Sequence, residues 1–170
     1  DVSFPAVFWQ QRVGRDGQPI FIHKFRTLRG PVAKDGSLLS DEARLSSIGR
    51  FLRATRLDEL PQIFDVLRGD MSLIGPRPLL PIDLPRDSAI RLQVAPGISG
   101  WAQVHGGKRL NAEEKNALDE WYVLNASFLV DLHIVALTLL MPFRGDLRNE
   151  KEVMRALRRQ HWRLASAQAH

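Results

Sequence analysis

Hydrophobic positions near the start of the chain fall in alternation. Val7-Phe-Trp-Gln-Gln-Arg-Val13 and Ile20-Phe-Ile-His-Lys-Phe-Arg26 flank Gly14-Arg-Asp-Gly17, which predicts two short strands around a Gly/Asp turn. Alternation along the second strand places Lys24 and Arg26 on one face and Phe25 on the other. A polar loop is expected from Gly30 to Gly36. Ser40 then caps a helix whose buried stripe is Leu45, Ile48 and Leu52, flanked by Phe51, up to about Thr55. The spacing of Leu57, Leu60, Phe64 and Leu67 predicts the next helix, from about Asp58 to Arg68, with one apolar face. Pro61 is tolerated in its first turn, where amides lack partners. That makes Asp58 the expected N-cap, puts Glu59 in the first turn and lets Gly69 close the far end.

The pattern breaks at Met71-Ser-Leu-Ile-Gly75-Pro76-Arg77-Pro78, where Pro76 fixes its own φ and Pro78 pushes Arg77 toward an extended conformation. Pro96 to Gly107 is punctuated by glycines around Trp101 and Gln103, as expected of close backbone approach to a ligand or of a tight turn. Asn111 to Val123 reads as a helix with Leu118, Trp121 and Tyr122 on its apolar side and Asp119 close by. Phe128 to Phe143 is nearly all apolar, interrupted by Asp131 and His133 and ended at Pro142. A buried core helix and a helix lying in a membrane interface both fit it. Lys151 to His170 sets five basic residues beside Val153, Met154, Leu157 and Trp162. This basic amphipathic helix reads as a membrane-surface or nucleic-acid contact, or as a solvated helix with one docked face. The elements together predict a helix-rich α+β fold, a small β-hairpin or sheet packed with several amphipathic helices.

Composition narrows the partners more than the fold. With 170 residues, 44% of them apolar, the chain fits one domain with a sizeable core. A formal charge of +5 points to an anionic partner: nucleic acid, a membrane surface or a phosphorylated substrate. The absence of cysteine excludes disulfides and thiolate chemistry, and the five histidines show no paired metal-ligand spacing. No apolar run approaches the roughly 20 residues that span a bilayer.

The candidate chemistry gathers at Asp58 and Glu59, two adjacent carboxylates at an expected helix start with Arg53 and Arg56 just upstream. They could serve simply as a cap and a dipole partner. They could also act on a phosphorylated substrate, with Lys24 and Arg26 as cations aimed at an anion and Arg77 pre-organised to fork onto a phosphate or carboxylate. His105 is read as a hydrogen-bonded loop residue.

Several stretches, taken in order, resemble the bacterial sugar transferases, small monotopic phosphoglycosyl transferases. They are Phe8 to Gly17, Lys24-Phe-Arg-Thr27, Arg56-Leu-Asp-Glu-Leu-Pro-Gln62, Leu67 to Leu79, Pro96 to Val104, and Leu118-Asp119 with Trp121-Tyr-Val123. The resemblance covers about residues 8 to 143 and implies a reaction. A nucleoside diphosphate sugar, a UDP-sugar, gives its sugar phosphate to polyprenyl phosphate and releases UMP, the first membrane step of glycan assembly. It also implies that Asp58 is the nucleophile of an aspartyl-phosphosugar intermediate and that Glu59 is its dyad partner. Mg²⁺ would be held by Glu59 and Asp58. Lys24, Arg53 and Arg77 are then the expected phosphate-binding cations, and Gln103 and Asp119 substrate-binding residues. The catalytic domain is expected over 1–148, with 149–170 as a basic amphipathic tail. The expected place is a membrane surface, the cytoplasmic face of the bacterial inner membrane, with no nucleic-acid partner. The resemblance further implies a membrane-dipping helix ahead of the Phe8 region, which these 170 residues do not include. His105 stands where the family commonly has Asn, and Gly107-Lys108 also departs from its pattern. Two other readings are a non-catalytic basic module for membrane or nucleic acid, and a scaffold that keeps the fold without the chemistry.

Overall fold

The computed structural model describes residues 5–32, 35–145 and 147–168, so part of the loop expected at 30–36 and the end of the tail lie outside the described residues. Strands β1 (Val7–Val13) and β2 (Pro19–Phe25) pair antiparallel, with Phe8 opposite Lys24 and Trp9 opposite His23. Ile20 and Ile22 are buried with Met71, and Val66 and Ile98 pack on them. Because side chains alternate, the face that buries Ile20 and Ile22 also carries Lys24 inward.

The helix expected after Ser40 is interrupted. Ser40 caps α1 (Asp41–Arg44) by accepting from the Ala43 N–H, and Ser46 caps α2 (Ser47–Thr55) by accepting from the Gly49 N–H. Between them Leu45 is extended and bridges to Leu28. A second serine able to satisfy free amides lets the chain leave one helix and start another. The expected stripe is not buried: Ile48 and Phe51 are exposed. Instead α2 lies against backbone, since a Cβ on Gly49 would sit 2.1 Å from the Thr27 carbonyl oxygen.

The expected helix from Asp58 is also divided, into a 3-10 turn over Leu57–Glu59 and helix α3 (Gln62–Arg68). Pro61 has no N–H to give the Leu57 carbonyl, which takes the Leu60 N–H at 3.2 Å instead, so the turn tightens. Asp58 therefore sits inside the turn and caps nothing. It follows Arg56, whose φ of 58° is left-handed. Gly69 closes α3 at φ 88°, as expected.

The faces of α3 are the reverse of expectation. Gln62 and Asp65 are buried, whereas Leu60, Phe64 and Leu67 are exposed, Leu67 by 79%. The cause is Asp65, whose carboxylate accepts the His23 backbone N–H at 2.9 Å and meets His23 Nδ1 at 2.6 Å. A buried carboxylate so satisfied can turn the polar face toward the hairpin.

Strands β3 (Ser72–Ile74) and β4 (Gly97–Ser99) pair in parallel. A Cβ on Gly97 would come within 2.1 Å of the Gly75 nitrogen, so this glycine density serves close approach between two backbone segments. Helices α4 (Trp101–Val104), α5 (Ala112–Asn125), α6 (Phe128–Arg144) and α7 (Glu150–Gln168) follow. A reciprocal cap between Asn111 and Glu114 starts α5, and α6 runs through Pro142 rather than ending there. Trp101, Leu118, Tyr122, Ile134, Val153 and Ala156 form one core, so α7 is packed into it on α5. On α6, Ile134 and Met141 are buried while Phe128, Leu129, Leu139 and Phe143 are exposed. No helix among the described residues is long and apolar enough to cross a membrane. The fold is helix-rich α+β.

Candidate active site

A cleft of about 690 Å³ opens between the hairpin side and the helical side. Lys24 reaches it from β2, Arg53 from α2, Asp58 and Glu59 from the 3-10 turn, and Arg77 from the loop after β3. Gln103 and Asp119 reach it from α4 and α5. The site residues that the resemblance implied thus share one cavity, whereas Arg26 does not line it and donates its Nε–H to the Pro5 carbonyl at 3.0 Å. Phe8, Phe25, Leu79, Met141 and Pro142 give it apolar wall.

Glu59 is buried and anchors the cationic side. Its Oε1 accepts from Lys24 Nζ at 2.7 Å and from Arg77 Nη2 at 3.3 Å. The His23–Asp65 link holds β2 against α3, and Lys24 is the next residue along the strand. Burial works against the Glu59 charge, but Arg77 and Lys24 outweigh it and hold the Glu59 pKa below the ordinary value. Burial likewise lowers the Lys24 pKa despite its partner. For Asp58 the direction is opposite to the one a helix start implies. Burial and the neighbouring Glu59 charge raise its pKa, against Lys24 and Arg53. Arg53 is itself fixed, its Nε–H donating to Thr27 Oγ1 at 2.8 Å.

The loop that carries Arg77 is held by more than its prolines. The Pro76 carbonyl accepts the Gly97 N–H at 2.9 Å, and the Leu79 carbonyl accepts the Val13 N–H at 3.0 Å. The Arg77 carbonyl accepts from Arg91 Nη2 at 2.8 Å. Arg91 in turn pairs with Asp119 at 3.0 Å, both nearly fully buried. Burial outweighs that arginine and pushes the Asp119 pKa up to about 6.

Sequence reasoning left several parts of this site without a role. Arg56, Lys108 and Lys115 also line the cleft, which brings six cationic side chains, with Lys24, Arg53 and Arg77, against the three carboxylates. Lys115 lies four residues before Asp119 on α5, a spacing that places both on one helix face and could have flagged it. Neither Arg91 nor the His23–Asp65 link carries a local signal. Both depend on contacts between distant segments. His105 is buried elsewhere, edge-on to Trp101 and beside Asn149, and burial takes its pKa down to about 4.

The donor set of the dyad fits a divalent cation. Asp58 and Glu59 are adjacent and both line the cleft, and the two ion pairs of Glu59 fall on the same oxygen, Oε1. One or two carboxylates completed by phosphate oxygens and water is the set that Mg²⁺ favours. No group of three or more His, Cys, Asp or Glu stands together among the described residues, so substrate and water would supply the other ligands.

A helix-rich α+β domain with paired carboxylates in a cation-lined cleft is the frame in which similarity to known proteins is informative. Residues 1–145 match the sequence family described as bacterial sugar transferase, and the chain belongs to that family of transferase enzymes. It is 47% identical over 141 residues to the sugar transferase EpsL of Bacillus subtilis, covering 81% of this chain and 70% of that protein. It is 37% identical over 163 residues to the undecaprenyl-phosphate galactose phosphotransferase of Salmonella typhimurium, covering 84% of this chain and 34% of the relative. It is also 37% identical over 154 residues to the UDP-glucose:undecaprenyl-phosphate glucose-1-phosphate transferase of Escherichia coli K12, covering 82% and 33% respectively. The chain thus spans about a third of the length of the latter two.

Proposed function

We propose that the protein transfers a sugar 1-phosphate from a UDP-sugar to polyprenyl phosphate, through a phosphosugar carried on Asp58. The observation that carries this reading is the Asp58–Glu59 pair in a cleft whose cations outnumber its carboxylates. In the first step an Asp58 carboxylate oxygen bonds to the sugar-linked phosphorus. The bond from that phosphorus to the oxygen bridging the two phosphates breaks, and the electron pair leaves on UMP. In the second, a polyprenyl phosphate oxygen bonds to the same phosphorus and returns the electron pair to the Asp58 carboxylate. Splitting the transfer in this way replaces one difficult step by two easier ones.

Each neighbour has a part in that chemistry. Arg77, Lys24 and Arg53 offset the diphosphate charge that would repel an incoming carboxylate. Lys24 and Arg77 also keep Glu59 ionised and oriented. Asp58 and Glu59 would hold Mg²⁺, which when bound neutralises phosphate charge. Gln103 and Asp119 on the opposite wall are suited to the sugar or nucleoside part of the donor.

A lipid-linked acceptor requires work at a bilayer surface, on this reading the cytoplasmic face of the inner membrane. The exposed apolar side chains of α3 and α6 and the basic residues of α7 support that placement. Incubation with Mg²⁺, polyprenyl phosphate and a panel of UDP-sugars should release UMP with one or a few of the donors. Release that ignores polyprenyl phosphate and yields no lipid-linked product would remove the acceptor from this reading.

A further inference from the structure

We infer that Arg91 is a positioning residue, which fixes the Arg77 peptide so that the Arg77 guanidinium is held between Glu59 and the cleft. The inference rests on the reading that Arg77 meets the donor diphosphate. Arg91 is 4% exposed and sits behind the cleft wall, in the 3-10 turn Arg91–Gln93. Its Nη2 lies 2.8 Å from the Arg77 carbonyl oxygen and 3.0 Å from Asp119 Oδ2, while Arg77 Nη2 lies 3.3 Å from Glu59 Oε1. Four residues, Asp119, Arg91, Arg77 through its backbone carbonyl, and Glu59, therefore form one line from the α5 wall of the cleft to the dyad. Of the three loop carbonyls held at Pro76, Arg77 and Leu79, the middle one is held by a side chain, and it belongs to the peptide that aims Arg77. Prolines on both sides limit that peptide's rotation, so fixing its carbonyl fixes the origin of the Arg77 side chain.

A buried ion pair is a poor device for stability alone, since apolar packing of the same shape often does as well. A guanidinium supplies what apolar packing lacks: the one nitrogen Nη2, carrying two N–H groups, lies within reach of both the Arg77 carbonyl and the Asp119 carboxylate. Asp119 supplies the countercharge that lets this arginine stay buried so close to Arg77, a cation it would otherwise repel.

The test is a double-mutant cycle on the full chain with Arg91→Met, Arg77→Met and the two combined, read by calorimetric titration with UDP and by UMP release. Arg91→Met should weaken UDP binding about tenfold in the presence of Arg77, and less than about twofold once Arg77 is Met. A loss of equal size on both backgrounds would overturn the inference and leave Arg91 as core packing. Should Arg91→Met fail to fold, Arg91→Lys completes the same cycle, because the lysine keeps the charge but ends one bond short of the position of Nη2 and so loses its reach to the Arg77 carbonyl. If the parent protein binds UDP and releases UMP while the losses add, the Arg91 inference alone fails. If the parent does neither, the functional reading fails and the inference with it.

Discussion

Asp58 and Asp119 are both carboxylates whose ionisation the fold opposes, yet different neighbours complete the balance. At Asp58, burial is reinforced by Glu59, the neighbouring carboxylate. At Asp119, burial prevails against Arg91, Arg77 and Lys115. Asp119 must be charged to keep Arg91 in place, so turnover should rise with pH through about 6, where its pKa is placed. Asp119→Asn should lower kcat/KM and flatten that acid limb; a limb unchanged in the variant would assign it to another group. Glu59→Gln should keep the fold but lose most Mg²⁺-dependent UMP release, because the neutral amide can neither balance the charges of Lys24 and Arg77 nor offer a metal the negative charge of a carboxylate. The sequence revealed these residues unevenly. Strand alternation placed Lys24, and two prolines marked Arg77. The N-cap expected at Asp58 fails because the structure places it in a 3-10 turn, where burial and Glu59 raise its pKa.

At the level of elements, α3 carries the sharpest lesson. Its period was legible, but its inward face was not. Hydrophobicity says only which face leaves water, and here His23, far off in sequence, satisfies the polar face instead. Phe64→Asp and Leu67→Asp should therefore change unfolding free energy by no more than about 0.5 kcal/mol in urea titrations, as surface positions do. Asp65→Ala should cost about 1–3 kcal/mol by stranding its buried partners. If Phe64→Asp proved as damaging as Asp65→Ala, the face assignment would be wrong. The break between α1 and α2 had a visible cause in the serines at 40 and 46, yet nothing local weighs one long helix against two capped ones. Gly49 decides it by contact, since the Thr27 carbonyl leaves no room for a side chain there.

For the whole molecule, acid stability reflects two buried groups of opposite sign. His105 has its pKa lowered from 6.5 to about 4, so its contribution is present above pH 6.5 and lost as pH falls toward 4, on the order of 3 kcal/mol. Asp119 has its pKa raised from 3.8 to about 6, so its contribution is present below about pH 4 and lost as pH rises through 6. The two oppose each other between pH 4 and 6. Removing one should expose the other: Asp119→Asn should lose stability more steeply than the parent protein as pH falls from 6 to 4 in urea titrations. At the membrane, the exposed Lys151 and Arg158 of α7 should each add about 1 kcal/mol of attraction to anionic vesicles. Neutralising both and raising the salt concentration should each weaken co-sedimentation. Charge changes are the right probe there, because deleting α7 would remove Val153 and Ala156 from the core. The covalent role proposed for Asp58 is tested most directly by intact-protein mass spectrometry after mixing with Mg²⁺ and the donor that supports UMP release, with no lipid acceptor. One sugar phosphate should be added to the parent protein and none to Asp58→Asn. An adduct of the same mass on Asp58→Asn would place the nucleophile elsewhere.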